Sequence, residues 1–168
     1  RLGDAVYGEG ETDLETVVAE QLLQKQLTLA VAESCTGGMI ASKLVEYPGI
    51  SAALVEGCVT YSNEAKMHRL GVKAETLEKY GAVSEETAKE MAEGIARTSG
   101  ADIGLATTGV AGPESSEGKP VGLVYIAVAY KGKTEVYTCH FVGKRNKIRE
   151  RAAYTALNQL RKGINDEA

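Results

Sequence analysis

Three short stretches of this chain set a hydroxyl, an amine or paired glycines where the backbone changes direction. The first is Ser34-Cys35-Thr36-Gly37-Gly38, between the apolar run 27–32 and a helical pattern starting at Met39. A strand-turn-helix presents free N–H groups at the helix start, and these attract a phosphate or a developing oxyanion. Gly37 and Gly38 would let a ligand approach the backbone, and Ser34 and Thr36 could donate to phosphate. Ser34 could also be a nucleophile, or either hydroxyl could simply cap the helix. A helix N-terminus lowers a thiol's pKa, which singles out Cys35 from Cys58 and Cys139. The spacing is neither that of the G-x-x-x-x-G-K-[ST] phosphate loop nor that of a G-x-S-x-G elbow.

The second stretch is Tyr61-Ser62-Asn63-Glu64-Ala65-Lys66, at the end of a strand-like run. A lysine near a helix start and partly desolvated has a lowered pKa and can act as a general base; a solvated lysine behind an Asn or Ser cap is the plainer alternative. Ser51 follows Pro48-Gly49-Ile50, before the same run. The third stretch is Ala106-Thr107-Thr108-Gly109-Val110-Ala111-Gly112-Pro113, which opens a long Gly/Pro/Ser loop. Structureless loops of that length are uncommon in compact domains unless they carry function. A basic cluster that includes Arg145 and Arg149 opens the last helix. Those two stand one turn apart and could clamp a phosphate together. His68 and His140 have no partners at metal spacing, and three cysteines without close pairs form neither a disulfide framework nor a zinc site.

These stretches need a scaffold. Helical periodicity is read over 12–26, 39–45, 62–70, 76–80, 84–98 and 144–161, and strands over 27–32, 52–61, 101–107, 121–130 and 134–142. The last two strands join around Lys131-Gly132-Lys133 as a hairpin. Strands alternating with helices and closed by a hairpin predict an α/β fold, a three-layer α/β/α sandwich on a mixed, mainly parallel sheet. Ligands in such sheets sit beyond the carboxyl ends of the strands, where all three stretches lie. The length of 168 residues suits one domain, and 43% apolar with 25% charged residues excludes wholesale disorder, collagen and coiled coil. A net charge of −4 and only nine Tyr and Phe with no Trp argue against nucleic acid as a partner. No stretch has the ~20 apolar residues of a membrane span and no signal peptide opens the chain, so a cytoplasmic protein is expected. The start at Arg1 reads as a piece of a longer protein.

Taken together the motifs resemble one family. Ala32-Glu33-Ser34-Cys35-Thr36-Gly37-Gly38, Pro48-Gly49-Ile50-Ser51, Tyr61-Ser62-Asn63-Glu64-Ala65-Lys66, Gly81-Ala82-Val83-Ser84, the 106–113 stretch and Lys119-Pro120-Val121-Gly122 stand in the order seen in the CinA C-terminal domain family. That family includes nicotinamide-nucleotide amidohydrolases. The resemblance implies a domain over 12–164, with 1–11 as a linker from a longer CinA-type chain and 165–168 as a tail. It implies hydrolysis of the carboxamide of nicotinamide mononucleotide to nicotinic acid mononucleotide and ammonia, by serine and lysine, with no metal or cofactor. Ser51 and Ser34 compete as nucleophile, and Ser51 is preferred, with Lys66 as base and Tyr61 in support. Thr108 and Gly109 would place the amide or ribose, and the turn of Cys35, Thr36, Gly37 and Gly38, or Arg145, would hold the phosphate with Asn63 nearby. The absence of a histidine from every matched motif agrees with a serine–lysine arrangement. A homodimer and an attached N-terminal CinA domain are the implied partners. The rival reading is a catalytically silent nucleotide-binding or regulatory module, or a dimerisation domain.

Overall fold

The computed structural model describes residues 6–8 and 12–166; the expected linker lies largely, and the expected tail partly, outside the described residues. The elements run α1 (Leu14–Gln24), β1 (Leu29–Glu33), α2 (Met39–Val45), a short 3-10 turn (Ile50–Ala52), β2 (Leu54–Val59), α3 (Asn63–Leu70), α4 (Ala74–Tyr80), α5 (Glu85–Ser99), β3 (Ile103–Gly109), β4 (Leu123–Tyr130), β5 (Lys133–His140) and α6 (Arg145–Asn165). Local chemistry sets several of the ends. Asp13 caps α1 through Thr16 N–H, Ser62 caps α3 through Ala65 N–H, and Ser84 caps α5 through Thr87 N–H. Left-handed Gly71 and Gly100 end α3 and α5.

The sheet order is β2-β1-β3-β4-β5. β1 pairs in parallel with both β2 and β3, and β3–β4 and β4–β5 are antiparallel. The expected α/β/α sandwich on a mixed sheet is therefore the observed fold, with a parallel centre and an antiparallel edge.

Alternation along the central strands sorts the core into two layers. Leu29, Val31, Ile103, Leu105, Val124, Ile126 and Val128 meet the apolar faces of α1, α2 and α6. The intervening Ala30, Ala32, Ala106, Ala127 and Ala129 meet α5, with Leu70 of α3 and Leu77 of α4. Branched side chains on the first face bury more area and contribute more, at about 25 cal/mol per Å² of apolar surface. The second face gives up area for closeness: a Cβ on Gly104 would lie 2.0 Å from the Ala92 carbonyl oxygen of α5.

This topology fixes where a ligand can sit. The chain leaves β1 through α2 to reach β2 on one side, and leaves β2 through α3–α5 to reach β3 on the other. The connections diverge at the carboxyl end of β1, and that divergence opens a crevice. Ser34, the segment 60–66 and Thr108-Gly109 all arrive there.

Candidate active site

At the end of β1 the backbone enters the turn 34–38, where Gly37 (φ 58°) and Gly38 (φ 101°) take conformations unfavourable to side chains with a Cβ. Gly38 stands at the cap position of α2 and has no side chain to offer. Buried Glu33 supplies the missing acceptor. Its carboxylate accepts from Thr36 Oγ1 at 2.6 Å, Ile40 N–H at 3.0 Å and Ala41 N–H at 3.1 Å. The Thr36 hydroxyl also meets Thr107 Oγ1 at 2.8 Å. The turn is thus tied to β3 beneath it, and the Ser34 hydroxyl is held at the rim of the crevice.

Lys66 enters from α3. Ser62 caps that helix, and Lys66 comes one turn later on its buried side. Only 1% of the residue is exposed. Nζ donates to the Thr60 carbonyl at 2.7 Å and the Tyr61 carbonyl at 3.2 Å, and lies 3.1 Å from Ser34 Oγ. Burial pulls the Lys66 pKa below the ordinary 10.5, and the charge of Glu117 only partly opposes this.

A cavity of about 310 Å³ opens over this pair. Ser34, Cys35, Tyr61, Asn63, Lys66, Thr108, Gly109 and Arg145 line it, together with residues of the 110–117 loop. Thr108 donates to the Ala82 carbonyl at 2.7 Å and so secures one wall. Glu117 secures the same wall from the loop, accepting from Ala82 N–H at 2.9 Å and Val83 N–H at 3.0 Å. Burial works against its ionised form, but those two amides and Lys119 outweigh it and hold the carboxyl below 4.5. Lys119 completes the clamp by donating to the Tyr80 carbonyl at 2.6 Å and to the Val83 carbonyl. Across the mouth, Arg145 donates to the Gly112 carbonyl and, at 3.0 Å, to the Tyr61 hydroxyl.

Eight of the expected site residues therefore converge: Ser34, Cys35, Tyr61, Asn63, Lys66, Thr108, Gly109 and Arg145. Four do not. Ser51 is exposed in the 3-10 turn that precedes β2, whereas Lys66 follows β2. Six residues of strand separate the two ends, about 20 Å at about 3.3 Å per residue. Within one chain Lys66 therefore stands beside Ser34 and not beside Ser51, the serine preferred as nucleophile. Thr36 turns its hydroxyl inward to Glu33 and Thr107 instead of toward a ligand. Gly37 and Gly38 face a separate groove of about 800 Å³ between α2 and α6. That groove is larger, but exposed surface side chains such as Lys147, Glu150 and Arg151 line much of it, and no buried amine or hydroxyl pair faces it.

Two electrostatic expectations also change. Burial pushes the Cys35 thiol up to about 12, so the loss of hydration outweighs any pull from the helix start and the group stays a neutral thiol at neutral pH. Arg145 and Arg149 do not form a joint clamp. Arg149 binds the backbone carbonyls of Cys35 and Thr36 while Arg145 faces the cavity. Sequence reasoning missed Glu33 and Glu117. The only trace of Glu33 is a carboxylate ending an apolar run; its partners Ile40 and Ala41 lie seven and eight residues on, across the turn. Glu117 has no local signal for this role, because the two amides it accepts from lie more than 30 residues away.

A family model described as the CinA C-terminal domain matches residues 11–164. The chain belongs to the CinA C-terminal domain family. Curated relatives of this CinA domain, named as competence-damage inducible proteins, include one from Clostridium beijerinckii, 57% identical over 163 residues. Another, from Clostridioides difficile, is 59% identical over 160 residues. These alignments cover 96% and 95% of the chain but only 40% and 38% of the relatives, so the chain spans about two fifths of their length. Among solved structures, a CinA superfamily protein from Klebsiella pneumoniae superposes with a TM-score of 0.89 at 39% identity. It covers 91% of this chain and 96% of that one. A competence/damage inducible protein from Agrobacterium tumefaciens gives 0.84 at 39% identity, over 94% and 99%. Among the described residues no helix is long and apolar enough to cross a membrane.

Proposed function

We propose that this domain hydrolyses the carboxamide of nicotinamide mononucleotide, releasing nicotinic acid mononucleotide and ammonia, with Ser34 as nucleophile and Lys66 as its base. The observation that carries the reading is the buried Lys66 amine 3.1 Å from Ser34 Oγ, with two backbone carbonyls as its other partners. A neutral amine has two N–H donors and one lone pair. Giving the donors to Thr60 and Tyr61 aims the lone pair at the Ser34 hydroxyl. Lowering the pKa by burial raises the share of the neutral amine that a base requires.

The steps balance with water as the one co-reactant. Ser34 Oγ bonds to the carboxamide carbon as its proton passes to Lys66. The C–N bond then breaks, and Lys66 returns the proton to the departing nitrogen, so ammonia leaves and an acyl-serine remains. Water adds to that ester, Lys66 takes and returns a second proton, and the acid departs with Ser34 restored. Asn63, Thr108 and Gly109 line the walls where amide and ribose would lie, and Arg145 is the cation at the mouth for a phosphate. A two-fold homodimer belongs to the same proposal, with light scattering as its check; a monomer at working concentration removes it.

The test is ammonia release from nicotinamide mononucleotide. Wild type is expected to turn over and Ser34→Ala to stop. If wild type binds the nucleotide without releasing ammonia, the hydrolase proposal fails and a silent nucleotide-binding module takes its place.

A further inference from the structure

The guanidinium of Arg149 lies against the backbone of the turn that carries Ser34, away from the cavity over Lys66. Nε donates to the Cys35 carbonyl at 3.0 Å, Nη2 to the Thr36 carbonyl at 3.2 Å and Nη1 to Asn146 Oδ1 at 3.1 Å. Gly37 makes room for it, since a Cβ there would sit 3.0 Å from Nη2. In a trans peptide the C=O and N–H of one plane point in opposite directions. Holding the Cys35 carbonyl toward α6 therefore turns the Thr36 N–H away from α6. Holding the Thr36 carbonyl does the same for the Gly37 N–H, which donates to the Ser34 carbonyl at 3.0 Å. That bond in turn fixes the plane carrying the Cys35 N–H. One guanidinium sets three consecutive peptide planes.

We infer that Arg149 is a positioning residue for the proposed hydrolysis: it orients the N–H group of Cys35, which lines the cavity, as a donor to the oxyanion formed when Ser34 attacks. The inference rests on the hydrolase reading and adds a role that touches no substrate. Backbone amides just after a nucleophile stabilise the tetrahedral oxygen only if their planes are fixed beforehand, because reorienting them during reaction would use up the gain. The geometry also opposes the alternative of a phosphate ligand, since all three of these bonds go to protein groups.

Steady-state ammonia release by Arg149→Ala and Arg149→Lys decides between the two. Loss of a donor used only in the transition state lowers kcat and kcat/KM together, by about 10²-fold in Arg149→Ala, with KM within about threefold of wild type. Added guanidinium should restore part of kcat. Nicotinamide riboside, which lacks the phosphate, should show the same loss wherever wild type accepts it. A KM rise on the mononucleotide with kcat intact would make Arg149 a phosphate ligand and overturn the inference, and so would unchanged kinetics. Circular dichroism guards against misfolding, and Arg149→Lys provides a milder variant. Should wild type release no ammonia, the hydrolase reading fails by itself. Backbone ordering is then read from amide hydrogen exchange, in which Gly37 should exchange faster in Arg149→Ala; unchanged exchange overturns the ordering as well.

Discussion

Ser34 and Ser51 occupy comparable sequence settings, each within three residues of a glycine and each at a junction with the parallel strands, yet their surroundings differ in every respect that matters for chemistry. Ser34 is 9% exposed, follows a strand, and has an amine 3.1 Å away. Ser51 is exposed, precedes a strand, and sits in a three-residue 3-10 turn introduced by left-handed Gly49. In a parallel sheet every strand delivers its chain to the same side, so segments that follow strands converge and segments that precede them gather at the opposite end. Which end a serine occupies, more than its neighbours in sequence, decides whether it meets the Lys66 amine.

The largest effects should separate the two ends outright. Ser34→Ala and Lys66→Met are each expected to lower kcat for ammonia release by on the order of 10³-fold or more, as loss of a nucleophile or its base does. Equal activity of either variant and wild type would erase the distinction. Glu33→Ala should cost about 3 kcal/mol in denaturant unfolding, because the Ile40 and Ala41 amides and the Thr36 hydroxyl lose a buried charged acceptor. A loss under 1 kcal/mol would mean that the turn holds itself.

The pH dependence sharpens the picture of the carboxyl end. Lys66 titrates below 10.5 in the fold, and the base must be neutral, so kcat/KM should rise with pH through that lowered value. Between it and 10.5 the unfolded chain binds more protons than the folded one. Stability should therefore also rise with pH in that window, and fall as pH drops back through the folded-state pKa. Lys66→Met should flatten this part of the stability curve; an unchanged slope would show that the amine is not the group responsible.

Smaller effects belong at the other end. Gly49→Ala places a Cβ at φ 92°, where space is open but the backbone is strained. It should lower stability by about 1 kcal/mol in thermal melts and leave kcat unchanged. Ser51→Ala should stay within about twofold of wild type. A large kcat loss there would show that this serine reaches a site after all and would break the contrast between the ends.

Much of this was legible without coordinates. Helical periodicity, short strand-like apolar runs, the Lys131-Gly132-Lys133 hairpin and a cap ahead of Lys66 identify elements because each works through neighbours within about four residues. The strand ends that carry Ser34, Lys66 and Thr108 followed from the α/β order. What misled was also local. Ser51 was preferred because it matches the serine after Pro48-Gly49 in the family resemblance, but a strand separates it from Lys66. Cys35 looked acidified by a helix start, but burial dominates.

The chain's own pattern thus determined the three layers, a mixed sheet with parallel strands and the end of the sheet at which chemistry would gather, since periodicity and caps are short-range properties. Tertiary structure alone decided which serine meets the amine, that Glu33 and Arg149 both grip the turn, and that Glu117 holds one wall of the cavity. Those contacts join residues up to 114 positions apart, and their distances, burial and dielectric surroundings exist only once the sheet has brought the segments together.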